Sequence, residues 1–157
     1  MTRRAAKWPF LGAIVIGAGL LAQGAAAQES VAPVKTIEGA EPGVRAEILS
    51  LARSEGGLLT LRVAFVNDSG GEVRNKALPG SGNVEKFELI DYMNKRKYPV
   101  IMGSDGHCFC TSLNPFGSFG PGRKVFWAKF PAPPASVTRI SVLLPEGEPI
   151  DGVPITN

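Results

Sequence analysis

The stretch LLTLRVAFVNDSGG, residues 58–71, decides the class of fold. Leu59, Leu61, Val63 and Phe65 alternate with Thr60, Arg62 and Ala64, a period of two that puts the apolar set on one face of an extended strand. Asn67 to Gly71 is a run of turn formers, so the strand ends there. Asn67-Asp68-Ser69 also fits an N-glycosylation pattern, but in this place it reads as a turn. Upstream, Val44, Ala46 and Ile48 alternate with Arg45 and Glu47, and Ser54 to Gly57 closes the two runs into a hairpin.

Moving downstream, Pro79-Gly80-Ser81-Gly82 breaks the chain, and KFELIDYM (86–93) and YPVIM (98–102) predict a second hairpin. Its turn carries Lys95-Arg96-Lys97 beside Asp91, which reads as a solvated tip rather than a nucleic-acid or membrane patch. KVFWAKF (124–130) and VTRISVLL (137–144) predict two last strands, separated by the stiff Pro131-Ala132-Pro133-Pro134. Trp127 is expected to anchor the core from the first of these. Pro145, Pro149 and Pro154 exclude a C-terminal helix. About seven short strands without an amphipathic helix predict an all-β antiparallel sandwich over residues 44–157. Residues 28–43, with Pro33, Gly39 and Pro42 and little periodicity, are expected to be a flexible segment leading into it.

The N-terminus has a different character. Arg3, Arg4 and Lys7 precede an apolar run from Phe10 to Leu21, and Ala25-Ala26-Ala27 follows. A basic region, a short apolar region and an A-x-A site predict a secretory signal peptide over residues 1–27. A membrane span wants about 20 apolar residues, and Gly12, Gly17, Gly19 and Gly24 dilute this run. The protein is therefore expected to be periplasmic or secreted, from a bacterial leader, with no transmembrane segment after cleavage. Removing 27 residues from 157 leaves 130, enough for one domain with one core. The leader takes three of the 17 Lys and Arg with it, leaving 14 against 14 Asp and Glu. A formally neutral chain gives no footprint for nucleic acid.

Enzymatic signatures are missing from the sequence: it contains no G-x-S-x-G, no Walker loop and no dinucleotide fingerprint. Glu85, Glu88 and Asp91 scatter over both faces of a strand and read as surface carboxylates rather than a catalytic pair. The densest chemistry lies in SDGHCFCTSL (104–113), which holds the only His and both Cys. In an oxidising compartment Cys108 and Cys110 are expected to form a local disulfide that pins the loop. One alternative is a copper or zinc site using His107, Cys108 and Cys110, with Met93 or Met102 as a further ligand. Another is thiol–disulfide redox chemistry, for which the C-x-x-C spacing and its helix are lacking. The segment from Gly103 to Gly122 is the longest without strand pattern, and Phe109, Phe116 and Phe119 in it are costly to leave in water. They either cap the sandwich or form a partner-binding loop.

LLTLRVAFVNDSGG and the ending VFWAKFPAPPASVTRISVLLPEGEPIDGVPI resemble the Ig-like modules of bacterial exported and envelope proteins, some of which are joined to OmpA-like domains. The likeness covers Val44 to Ile155. It implies an Ig-like β-sandwich serving as spacer, scaffold or binding module. The expected function is thus a non-enzymatic binding or envelope-structural module without a cofactor, its partner a protein or cell-envelope component.

Overall fold

The computed structural model of the chain describes residues 32–74, 84–111, 118–145 and 147–157. The leader, residues 1–27, lies outside them, as does Phe116. The described part is all-β apart from one 3-10 turn at Val84–Lys86. One sheet holds β1 (Lys35–Glu38), β2 (Val44–Ser54), β3 (Leu58–Asn67) and β8 (Gly122–Pro131), in the order β1-β2-β3-β8. The other holds β5 (Glu88–Asp91), β6 (Arg96–Pro99), β9 (Arg139–Leu143) and β10 (Ile150–Pro154), in the order β10-β9-β5-β6. Every pairing between these strands is antiparallel, and a short ribbon pairs β4 (Val73–Arg74) with β7 (Ser118–Phe119).

The period-two pattern sets the core. Leu59, Leu61, Val63 and Phe65 of β3 are fully buried, and on β8 so are Phe126, Ala128 and Phe130. The register matches large to small: Leu61 faces Ala128, and Val63 faces Phe126. Leu89 and Val142 of the second sheet join the same hydrophobic cluster. Phe87, just before β5, stacks obliquely on Phe126 with ring centroids 4.8 Å apart. Each such buried aromatic or aliphatic side chain contributes about 1.5–3 kcal/mol relative to exposure. In β2 the register slips between Ile48 and Ser50, so the bulge at Leu49 re-aims the strand and puts Leu51 back into the core. Gly56 and Gly57, at φ 78° and 71°, turn β2 into β3 through a conformation that side-chain-bearing residues avoid.

Hydrogen bonds tie the two sheets together at both margins. Leaving β6, the chain donates from the Ile101 N–H to the Lys129 carbonyl of β8 at 2.9 Å. Beyond β10, Thr156 exchanges bonds with β2, donating to Leu51 at 2.9 Å and accepting from Arg53 at 2.8 Å. The C-terminal segment can reach β2 because β1 pairs only with residues 45–48, leaving the later part of that edge open. Both crossings cover strand edges that would otherwise present unpaired backbone. Arg53 also fixes the proline connection, donating to the carbonyls of Pro133, Pro134 and Val137 at 2.9–3.0 Å.

Three expectations are corrected. Ordered sheet begins at Lys35, inside the segment expected to be flexible, because β1 finds the free edge of β2. A strand, β10, forms at Ile150–Pro154, with a register irregularity around Gly152, whose φ is 69°. Trp127 does not anchor the core: it is 38% exposed, because alternation along β8 turns Phe126, Ala128 and Phe130 inward and Trp127 outward.

Candidate functional site

The segment carrying the cysteines is an ordered hairpin from Ile101 to Thr111. The Gly103 N–H donates to the His107 carbonyl at 2.7 Å, and the His107 N–H donates to Asp105 Oδ1 at 3.0 Å. Gly106 makes the tight corner at φ 77°. A Cβ at Gly103 would lie 2.6 Å from Asp105 Oδ1, so a side chain there would have to displace the carboxylate that accepts the His107 N–H. The returning arm lies along β8: Lys129 donates to the Phe109 carbonyl at 2.9 Å and Thr111 donates to the Trp127 carbonyl at 2.8 Å. Cys110 thus sits opposite Ala128 on the inward side.

Cys108 and Cys110 lie at disulfide distance with Cα atoms 5.2 Å apart, and both pack against the core. Phe109 between them therefore points outward and is 53% exposed. His107 is exposed and lines a shallow depression of about 430 Å³ with Gly103, Ser104, Asp105, Cys108 and Phe109. With the sulfurs joined to each other, neither is available as a thiolate ligand or nucleophile in this form. Met102 pairs with Cys108 in the hairpin, whereas Met93 stands at the β5–β6 turn. No group of three His, Cys, Asp or Glu side chains suited to a metal occurs among the described residues.

The hairpin extends the outer face of the first sheet. Cross-strand register builds rows on that face: Thr111, Trp127, Arg62 and Ser50 in one, then Val125, Ala64, Glu47 and Thr36, then Arg123, Val66 and Arg45. Phe109 and Lys129 stand beside the first row. Of the seven large apolar side chains exposed among the described residues, Phe109, Val125 and Trp127 stand on this face, while Met102 shares the side of Cys108, with which it pairs. Arg62 and Lys129 stand on the same face.

One end of the face is fixed by charge. Glu47 is 6% exposed and lies between two guanidiniums, Arg45 at 2.8 Å and Arg123 at 2.7 Å. The Arg123 contact is an ion pair without hydrogen-bond alignment, which leaves Glu47 Oε2 otherwise without a partner. Asp68 also holds Arg45, and its hydrogen bond, followed by that of Glu47, raises the guanidinium pKa above its usual value. The three carboxylates singled out in the sequence stay apart in role: Glu85 is exposed, Glu88 pairs with Lys97 at 2.7 Å, and Asp91 is buried. Asn67 is fully buried, its side chain closing the turn to Ser69 and Gly71.

The outer face of β8 was legible in KVFWAKF, because once Phe126 and Phe130 point inward Val125 and Trp127 must point out. Size and aromaticity alone favoured the opposite placement of the indole. Of the loop phenylalanines, only Phe109 has a described side chain; Phe119 pairs through its backbone with Val73. No protein-family model, no curated protein and no solved structure matches this chain.

Proposed function

We propose that this chain is an exported, non-enzymatic Ig-like module that binds a protein or cell-envelope component through the outer face of its first sheet. The observation that carries the reading is the set of exposed apolar side chains Phe109, Val125 and Trp127 on the outer face of β8 and of the hairpin arm joined to it. These three are held on paired backbone, so little conformational freedom is lost on binding.

Strand order supports the Ig-like part. Setting aside β1 and the short ribbon, the first, second and fifth strands form one sheet (β2-β3-β8). The third, fourth, sixth and seventh form the other (β10-β9-β5-β6). An Ig-like sandwich with an A-B-E sheet against a G-F-C-C′ sheet would have this order, which is what supports the reading. Export rests on the layout of Met1 to Ala27 and agrees with a cysteine pair at disulfide distance.

The test is photo-crosslinking in living cells. A photoreactive residue in place of Val125 is expected to give a discrete adduct, and one in place of the exposed Asp151 on the other sheet is not. Adducts from position 151 alone, or none from position 125, would sink the reading.

A further inference from the structure

The β5–β6 turn departs from an ordinary solvated tip in two ways. Met93 at its summit is 92% exposed and Tyr92 beside it 60%, the largest exposures of the large apolar side chains among the described residues. Lys95 has φ 53°, the left-handed conformation that Gly or Asn adopts at far lower cost. The turn thus gives up backbone ease to carry a cation, and apolar burial to carry a thioether and a phenol.

It is also held stiff. Asp91, 4% exposed at the base, accepts the Asn94 backbone N–H at 3.0 Å and its side-chain amide at 2.7 Å, and the backbone of Arg96 lies opposite Asp91 in the strand register. The Asp91 charge is therefore engaged inside the turn. Lys97 is held by Glu88 at 2.7 Å. Lys95 and Arg96, both exposed, have no ion pair among the described residues. The surface offered outward consists of Tyr92, Met93, Lys95 and Arg96.

We propose that this tip docks on the surface of an anionic phospholipid membrane. The chemistry is complementary in depth. A tyrosine ring sits well at the headgroup level, an unbranched methionine can enter the acyl boundary just below, and the two cations meet lipid phosphates. The contact is shallow and reversible, since two apolar side chains and two cations fall far short of an anchor. It orients the module at a bilayer and uses a different surface from β8, so it stands or falls independently of the partner-binding reading.

The experiment uses the chain as exported by its host, its N-terminus established by intact mass, in sedimentation with vesicles of phosphatidylglycerol and phosphatidylcholine or of phosphatidylcholine alone. Binding is expected only to the anionic vesicles, weakening with salt and falling about fivefold for each of Lys95→Gln and Arg96→Gln. Tyr92→Ser with Met93→Ser is expected to lower it further at unchanged circular dichroism. For depth, Met93→Trp is compared with the unaltered chain, and the difference emission should shift to the blue and be quenched by brominated acyl chains. Absence of vesicle binding, equal binding to neutral vesicles, or binding untouched by the four tip substitutions would each overturn the proposal.

Discussion

Phe126 and Trp127 are adjacent in the chain and point to opposite sides of β8, so substituting each in turn reads the fold directly. Phe126 is fully buried, faces Val63 across the sheet and stacks on Phe87 at 4.8 Å. Phe126→Ala removes a whole ring from the point where both sheets meet and should cost about 3–5 kcal/mol, of which about 0.5–1.5 is the aromatic pair. A domain of this size has about 5–15 kcal/mol in total, so the variant should be marginal but still folded near room temperature. Trp127→Ser removes a ring that is 38% exposed, on a residue whose strand neighbours are Arg62 and Thr111, and should cost about 1 kcal/mol or less. Urea unfolding followed by circular dichroism separates them: the midpoint should fall by roughly 2 M for Phe126→Ala and by well under 1 M for Trp127→Ser. Equal shifts, or the reverse order, would refute the assignment of inner and outer faces.

Cys108→Ser with Cys110→Ser should keep the fold, because so short a closed loop removes little entropy from the unfolded chain; a thermal midpoint lowered by more than about 10 °C would contradict this. Glu47→Ala leaves two guanidiniums facing each other, and since these are 29% and 40% exposed the loss should be about 1–2 kcal/mol, below that of an enclosed pair, read from urea midpoints. Asp91 has a lowered pKa, chiefly through its hydrogen bond from the Asn94 side chain. The stability this lends is fully present above the unfolded carboxyl pKa of about 3.9 and is lost as pH falls through the lower folded value, so Asn94→Ala should flatten the acid limb of a stability–pH profile.

The parts of the fold that could be read from sequence are those with one wet and one dry face. The β2–β3 and β5–β6 hairpins and strands β8 and β9 show alternation or turn chemistry that admits few other structures. β1 could not be read this way: in Lys35–Glu38 only Ile37 is even partly buried, so an edge strand leaves no periodic trace. β10 escaped because Gly152 and Pro154 look like breakers, and only the partner strand β9 shows that a bulge absorbs them. The bonds between the sheets at Ile101 and Thr156 depend on which edges stay free, which is a property of the assembled fold.

The candidate site was half legible. Cys108 and Cys110 were read as a local pair, and the structure places them at disulfide distance. That Phe109 faces outward follows only once both cysteines are known to face the core. Trp127 was misplaced because its size was weighed above its position between two inward residues. The exposed Met93 drew notice in the sequence as a possible metal ligand, whereas its position at the summit of a stiff, cationic turn emerges only from the backbone.

The measurement that bears most directly on the central claim is the affinity of the partner recovered by crosslinking, titrated against the native chain and against Phe109→Ser with Trp127→Ser. A buried aromatic anchor at an interface contributes about 2 kcal/mol or more. The double variant should therefore bind at least about 30-fold more weakly while its circular dichroism and urea midpoint stay close to native. Unchanged affinity in a folded double variant would show that the outer face of β8 is not the binding surface.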